Sequence, residues 1–245
     1  WFWKPAEAAQ QSLDELGKQF KEIIKKHIDL KGFSIADIGT GTGENLMDLV
    51  NKNSKKITAL EMDSEMVESI KKRYFYLDNL SVKKWKYPEE FNEKIDLILL
   101  TDVLEHIKDD KGMVNWILEH LNDKGYCLIT IPAHQFFWTQ MDKVAQHFRR
   151  YKIKEIKDLF FKFNVIKLSY YNCFLYPIKV LFTLIVNALR ILNLNNPERS
   201  YNDVMVSKGW GFLNEIMKII LKLESKIIVR RNLPFGVSIV GLFQK

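Results

Sequence analysis

The sequence predicts an α/β protein with a doubly wound, mostly parallel sheet that is covered by helices on both faces. One observation is that short apolar runs alternate with longer amphipathic runs through the first half of the chain, which is typical of strand–helix–strand units. A second is the glycine-rich turn Gly39-Thr40-Gly41-Thr42-Gly43, which follows the first apolar run. The length of 245 residues fits one domain with a sizeable insertion.

The first part of the chain divides into a helical cap over residues 1–30 and a core over residues 31–170. The cap contains one amphipathic helix at Ala6–Ile28, because apolar residues recur there at three- and four-residue steps. The predicted core strands are Ser34–Ile38, Ile57–Glu61, Ser81–Trp85, Ile95–Leu100 and Tyr126–Ile131. The helices predicted between them are Glu44–Asn51, Glu65–Leu77 and Lys111–Leu121.

The alternation of predicted strands and helices ends after Pro132, where an aromatic and basic stretch begins. It is followed by a predicted helix, a strand and an apolar helical insertion over residues 171–232, and residues 233–245 hold the last strand. The predicted elements are the helix Lys154–Phe163, the strand Val165–Tyr170, the apolar segment Cys173–Leu192, the polar loop Asn193–Gly211, the helix Phe212–Ile228 and the strand Gly236–Phe243. In the helix Phe212–Ile228 we predict one apolar stripe, formed by Leu213, Ile216, Met217, Ile220, Leu223 and Ile227.

The insertion has three alternative interpretations. A membrane-spanning helix needs about 20 apolar residues, and Cys173–Leu192 contains Pro177, Lys179 and Arg190. Because the two charges lie near its ends, spanning stays an alternative. A lid buried over a pocket, or a peripheral in-plane contact with a membrane, is favoured.

Composition excludes disorder, because 47% of the residues are hydrophobic and 27% are charged. The net charge of +7 suits nucleic acid, anionic lipid or a phosphorylated substrate. The basic pairs are scattered, so no nucleic acid partner is expected. Cys127 and Cys173 lie in apolar runs, which predicts no disulfide and no metal site and favours a cytoplasmic location.

The glycine turn has the chemistry of a ligand loop, although a tight turn without a ligand is the alternative. Glycines permit positive φ and close approach of a ligand to the backbone. A dinucleotide fingerprint would place its third glycine at position 44, where Glu44 would repel a pyrophosphate.

Two acids narrow the ligand. Asp37 precedes the turn and can accept from a ligand amine, whereas Glu61 ends the second strand and can accept from both hydroxyls of a ribose. These features describe a nucleoside with a small zwitterionic tail and no pyrophosphate. S-adenosyl-L-methionine fits that description.

On these residues the chain resembles the class I S-adenosylmethionine-dependent methyltransferases over roughly residues 33 to 132. The matching segments are Asp37 to Gly43, Glu61, Ile95-Asp96-Leu97-Ile98, Thr101-Asp102-Val103-Leu104-Glu105-His106 and Lys124-Gly125-Tyr126. The resemblance implies an S-adenosyl-L-methionine-dependent enzyme with a Rossmann-like, seven-stranded sheet whose last strand is antiparallel.

The resemblance also implies a cofactor site. The methionine portion would be held by Asp37, Gly39, Thr40, Gly41 and Gly43. Glu61 would bind the ribose, Met62 would lie against the adenine, and Thr101 and Asp102 would face the methionine amine, with a helix cap as the alternative for Asp102. Many members carry an acid after the third strand that binds adenine. Here Trp85 or Tyr87 could stack on the base instead, or either ring could belong to the core.

The flanks resemble a branch of the family that accompanies the assembly of glycans and lipid-linked sugars, which implies a role in polysaccharide biosynthesis. The matching residues are Trp1-Phe2-Trp3, His147-Phe148-Arg149-Arg150-Tyr151 and Leu233-Pro234-Phe235-Gly236. Among these, His147, Arg149, Arg150 and Tyr151 are candidates for capturing an anionic substrate, since paired arginines bind phosphate or carboxylate bidentately. The alternative is a set of salt bridges to Glu155 and Asp158.

Methyl transfer to a hydroxyl benefits from a general base, and histidine titrates in the useful range. His106 after the fourth strand and His134 after the fifth are the candidates, although His106 could instead orient the cofactor or cap a helix. We therefore predict transfer to an oxygen of a small or carrier-linked anionic substrate. The alternatives are an RNA or N-methyltransferase, and a non-catalytic membrane-associated factor with this fold.

Overall fold

The structure is a computed structural model that describes residues 22–43, 46, 54–191 and 211–245. Its sheet has seven strands: β1 Ser34–Ile38, β2 Lys56–Glu61, β3 Leu80–Lys84, β4 Ile95–Thr101, β5 Leu121–Pro132, β6 Asn164–Tyr171 and β7 Ser238–Gln244. They lie in the order β3-β2-β1-β4-β5-β7-β6. β1 to β5 pair in parallel, and β7 runs antiparallel to both β5 and β6. The predicted doubly wound, Rossmann-like sheet with an antiparallel last strand is confirmed.

The labelled helices are α1 Ser64–Arg73, α2 Asp110–His120, α3 Gln140–Val144, α4 Ile153–Leu159, α5 Tyr176–Ile191 and α6 Gly211–Arg230. Residues 22–27 are also helical, so this helix ends just before the predicted Ile28. Residues 6–21, most of Glu44–Asn51 and most of the loop Asn193–Gly211 lie outside the described residues. α1 begins where the Asp63 side chain accepts from the backbone N–H groups of Glu65 and Met66. It ends before the predicted Leu77.

Residues in β4 show why both faces of the sheet are covered. Leu97 and Leu99 belong to one buried apolar cluster, whereas Ile98 and Leu100 belong to the other. A strand that is apolar at every position is typical of a parallel sheet with helices on both sides. The carboxyl ends of β1, β2, β4 and β5 therefore open at one edge, which is where ligands bind in such sheets.

The start of β5 differs from the prediction. We expected the strand to begin at Tyr126, but Leu121 already pairs with Ile95. The register then shifts before Tyr126 meets Leu97. The polar residues between them form an irregularity within the strand, which the sequence pattern presents as a turn.

Among the side chains that the structure describes in the last helix, the predicted apolar stripe was wrong at two positions, while Leu213, Ile216 and Met217 lie outside the described side chains. Leu223 is 52% exposed and Ile227 is 41% exposed, whereas Leu221, Glu224 and Ile228 are buried. The helix turns this face inward because the Glu224 carboxylate accepts the backbone N–H groups that follow β6, namely those of Asn172, Cys173 and Phe174. Among the described residues, no helix combines the length and the hydropathy needed to cross a membrane.

Candidate functional site

The glycine turn leaves β1 with three residues in the left-handed region. The φ angles of Gly39, Gly41 and Gly43 are 67°, 56° and 78°. A Cβ on Gly39 would lie 2.6 Å from a methyl group of Val103, whereas a Cβ on Gly41 would meet no described atom within 4 Å. The turn therefore packs tightly against the segment after β4 and leaves space at Gly41 for a ligand.

Asp37 lies at the base of this turn and is fully buried. Its Oδ2 accepts from the Thr40 hydroxyl at 2.6 Å, while its Oδ1 has no hydrogen-bond partner in the described part of the chain. Burial raises the pKa of Asp37 to about 7, with a contribution from Glu61 and against the Thr40 hydrogen bond. A buried carboxylate oxygen without a partner is a place for a ligand ammonium group.

Glu61 stands at the end of β2 with 8% of its surface exposed. One carboxylate oxygen accepts from the Gly41 N–H at 2.9 Å and the other from the Asp63 N–H at 3.0 Å. Each carboxylate oxygen has a second lone pair. Glu61 therefore orders the glycine turn and keeps an acceptor site on each oxygen for a diol.

The structure decides between the alternatives for Trp85, the first of the two rings after β3. Trp85 is 7% exposed, packs against Phe91 and Trp116, and donates its indole N–H to the Glu89 carbonyl at 3.1 Å. Trp85 is therefore a core residue. Met62, in contrast, is 60% exposed beside Glu61.

Thr101 and Asp102 end β4 at the same edge. Asp102 has a φ of 54°, its N–H donates to the Thr130 carbonyl at 2.9 Å, and its Oδ1 accepts from the Thr130 hydroxyl at 3.3 Å. The helix-cap interpretation of Asp102 was wrong, because the N-cap of the following 3₁₀ turn Leu104–His106 is Val103. Desolvation raises the pKa of Asp102, against the Thr130 hydrogen bond.

His134 follows β5 with a φ of 58° and is surrounded by aromatic rings. Its ring stacks on Tyr170 at 4.9 Å and meets the edges of Phe137 and Tyr176 at 5.7 Å each. Burial lowers the pKa of His134, as do Lys152 and Arg150, although a hydrogen bond to the Gly236 backbone raises it. Nε2 is buried and, among the described atoms, has no hydrogen-bond partner. The lowered pKa favours the neutral ring, and because Nε2 has no described partner, the hydrogen bond to the Gly236 backbone is assigned to Nδ1.

His106, which precedes β5 in the chain, and His147, which follows it, lie in contact. Their rings lie 4.6 Å apart at 84°. Burial and His147 lower the pKa of His106, against a hydrogen bond to the Ala145 backbone. His147 bonds through Nδ1 to Asp142 at 3.0 Å.

The two arginines and Tyr151 contact carboxylates of this chain that we did not predict. Arg149 pairs with Asp110, which also accepts from the Tyr151 hydroxyl at 3.0 Å. Arg150 pairs through Nε with Asp142 at 2.7 Å. The alternative of salt bridges is met in part, because both arginines pair with acids, but the partners are Asp110 and Asp142 and not Glu155 or Asp158. Substrate capture by these residues stays a prediction.

Sequence reasoning missed Asp142 and Glu105 as members of the site. Asp142 is 1% exposed and holds both His147 and Arg150, and hydrogen bonds from these two keep its pKa well below the usual range despite burial. Glu105 is also 1% exposed, and burial and Asp102 raise its pKa well above normal. An acid inside an aromatic and basic stretch was the available signal for Asp142.

Comparison with known proteins matches residues 6–167 to a family described as "Methyltransferase domain". A curated relative, the histidine protein methyltransferase 1 homolog of Dictyostelium discoideum, is 24% identical over 151 residues. This match covers 56% of this chain, and the chain spans about half (48%) of that relative.

Solved structures share the fold at low identity. The S-adenosylmethionine-dependent methyltransferase of Mesorhizobium loti has a TM-score of 0.60 at 8% identity, covering 93% of this chain and 97% of that one. The N-methyltransferase NodS of Bradyrhizobium japonicum WM9, in complex with S-adenosyl-l-homocysteine, has a TM-score of 0.52 at 12% identity, covering 63% and 76%.

Proposed function

The chain belongs to the methyltransferase-domain family, and from that premise we propose that it transfers a methyl group from S-adenosyl-L-methionine to an oxygen of a small or carrier-linked anionic acceptor. The observation that carries the proposal is His134, a neutral ring whose buried Nε2 has no partner in the described structure. The glycan branch that the flanks resemble makes a sugar in polysaccharide biosynthesis the acceptor class to test first.

The residues at the sheet edge fit the cofactor. Asp37 offers an unpartnered buried oxygen to the methionine ammonium group. Glu61 offers both oxygens to the ribose, the turn is open at Gly41, and Met62 provides an exposed apolar side chain for the adenine. When bound, S-adenosyl-L-methionine supplies an electrophilic methyl group on its sulfonium.

His134 has the features of a general base. A hydroxyl acceptor must lose its proton as the methyl group arrives, and a positioned base typically contributes 10²–10⁴-fold to the rate. The lowered pKa favours the unprotonated ring, and the hydrogen bond to the Gly236 backbone fixes the ring orientation. His134 follows β5, whose Thr130 pairs with Thr101 of β4, so it stands at the same sheet edge as Asp102.

Cationic side chains near His134 support an anionic acceptor. Lys152 and Arg150 both act on the ring electrostatically. Lys179 of α5 interacts electrostatically with Arg150 and Asp142. The positive charges of Lys152 and Arg150 at the His134 ring favour an anionic substrate there.

The start of α5 supports the lid interpretation of the insertion. Tyr176 contacts His134 at 5.7 Å and Phe137 at 5.3 Å, so the first turn of α5 covers the site beside the candidate base. An active site that excludes water strengthens its electrostatic interactions. We infer that the first turn of α5, at the start of this insertion, encloses the acceptor.

The test is a transfer assay with labelled cofactor against hydroxyl acceptors with and without a phosphate group, with amines and histidine peptides as comparisons. We expect transfer to anionic hydroxyl compounds, and a loss of at least about 100-fold in His134→Ala and His134→Gln. Binding of S-adenosylhomocysteine should be unchanged in both variants, and His27→Ala is the control. Full activity of His134→Ala, or transfer to amines alone, would contradict the proposal.

A second candidate comes from the curated relative, whose name describes methylation of a protein histidine. The acceptor would then be an imidazole nitrogen, and the peptides in the same assay test it. Methylation of histidine peptides, with none of the hydroxyl compounds, would favour this candidate.

A further inference from the structure

Three metal-ligating side chains meet at the edge of the sheet between the end of β4 and the segment after α3. Glu105, His106 and His147 each bring one ligand atom within 4.8 Å of the others. Ligands at about 2.1 Å from a tetrahedral metal lie about 3.4 Å apart. Small side-chain rotations therefore suffice to close the three around one ion.

Glu105 gives an independent sign that a cation belongs here. The residue is 1% exposed, and its Oε2 has no hydrogen-bond partner in the part of the chain that the structure describes. A buried carboxylate oxygen without a partner is costly, and an ion in the site would remove that cost. The backbone around Glu105 is fixed, because its carbonyl accepts from the Phe148 N–H at 2.8 Å.

Both histidines are oriented in the way that metal ligands are. His147 uses Nδ1 for Asp142, which leaves Nε2 for an ion. One ring nitrogen of His106 contacts the Ala145 backbone, which leaves the other. A ligating histidine commonly gives its second nitrogen to a carboxylate or a backbone carbonyl, which fixes the ring and raises its basicity.

The charges around the cluster also favour a cation. Asp102 and Asp142 both interact with Glu105, and Arg150 is the opposing charge in that set. Glu105 is buried, His147 is partly buried and His106 is exposed, so an ion can enter from solvent. One carboxylate and two imidazoles suit zinc and neighbouring first-row metals better than magnesium or calcium.

We propose that Glu105, His106 and His147 form a binding site for one divalent transition-metal ion of the zinc class, with Asp142 orienting His147. Three protein ligands leave a fourth position open, as in catalytic rather than structural zinc sites. The proposed ligands do not include Asp37 or Glu61, although Asp102, which we predict beside the cofactor, interacts electrostatically with Glu105.

The test is metal binding to the full chain, without an affinity tag and after removal of metals by a chelator. Zinc is titrated by calorimetry, and cobalt(II) is followed by its visible absorption, which reports coordination geometry. We expect one equivalent to bind. Affinity should fall at least tenfold in Glu105→Gln and His147→Ala and 10–100-fold in Asp142→Asn, and His27→Ala should bind like the parent.

Thermal unfolding of each variant distinguishes loss of a ligand from loss of the fold, and Glu105→Gln preserves the shape of the side chain. Absence of a one-equivalent site in the parent protein would overturn the proposal. Equal zinc affinity in the parent and in Glu105→Gln or His147→Ala would overturn it as well. S-adenosylhomocysteine binding, measured in parallel, would show that such a failure leaves the proposed function intact.

Discussion

Replacing Glu61 by alanine tests the cofactor site directly. The substitution removes both oxygens that we assign to the ribose hydroxyls, and hydrogen bonds to a charged group contribute about 1.5–3 kcal/mol each. Two such bonds predict a loss of about 3–6 kcal/mol, which is about 10²–10⁴-fold in the dissociation constant. Release of the Gly41 and Asp63 N–H groups, now held at 2.9 and 3.0 Å, would add to the loss.

The assay is calorimetric titration with S-adenosylhomocysteine, with circular dichroism to verify the fold. The control is Lys83→Ala, because Lys83 is 46% exposed and pairs on the surface with Glu93, and such pairs contribute about 0–1 kcal/mol. Lys83→Ala should bind like the parent. Similar, small losses in Glu61→Ala and Lys83→Ala would refute the assignment of Glu61.

Three further predictions concern stability. Because the pKa of Asp37 is raised to about 7 in the folded protein, the folded state binds more protons than the unfolded one. The free energy of unfolding should therefore fall as pH rises from about 4 to about 7. Urea denaturation at a series of pH values should show a smaller fall over this range in Asp37→Asn than in the parent protein. Gly39→Ala should lower the free energy of unfolding by about 1–3 kcal/mol more than Gly32→Ala. Both glycines have positive φ, but only a Cβ on Gly39 would lie 2.6 Å from another side chain. Equal losses in the two variants would contradict this. Glu224→Ala should cost about 3 kcal/mol in urea denaturation, because three backbone N–H groups lose their acceptor, with exposed Lys226→Ala as the unaffected control.

Much of the sheet could be predicted because its signals are local. An apolar run such as Ser34–Ile38 predicts a strand that is buried on both faces, and the predicted bounds are those of β1 in the structure. The glycine turn likewise records a positive φ that other residues rarely adopt. The start of β5 could not be predicted, because pairing of Leu121 with Ile95 overrides a polar stretch typical of a turn.

The last helix shows the limit of periodicity. The three- and four-residue spacing of apolar residues predicts that one face of the helix is buried but does not identify that face. Here Glu224 is buried because it accepts hydrogen bonds from the N–H groups after β6, and Leu223 is exposed. A glutamate in the middle of a helix gives no sign of those partners, because they lie on another element.

The sequence by itself determined the sheet, the turn at Gly39 to Gly43, and the positions of Asp37 and Glu61 at two neighbouring strand ends, because each follows from residues adjacent in the chain. Only the tertiary structure decided that Asp142 holds His147 and Arg150, and that Glu105 lies beside His106 and His147 with an Oε2 that has no hydrogen-bond partner among the described atoms. Glu105 and His147 are distant in the chain, whereas Asp142, His147 and Arg150 are close in sequence but lie in a stretch whose backbone path no local pattern specifies. The energies of these contacts come from desolvation and charge pairing that exist only in the folded chain.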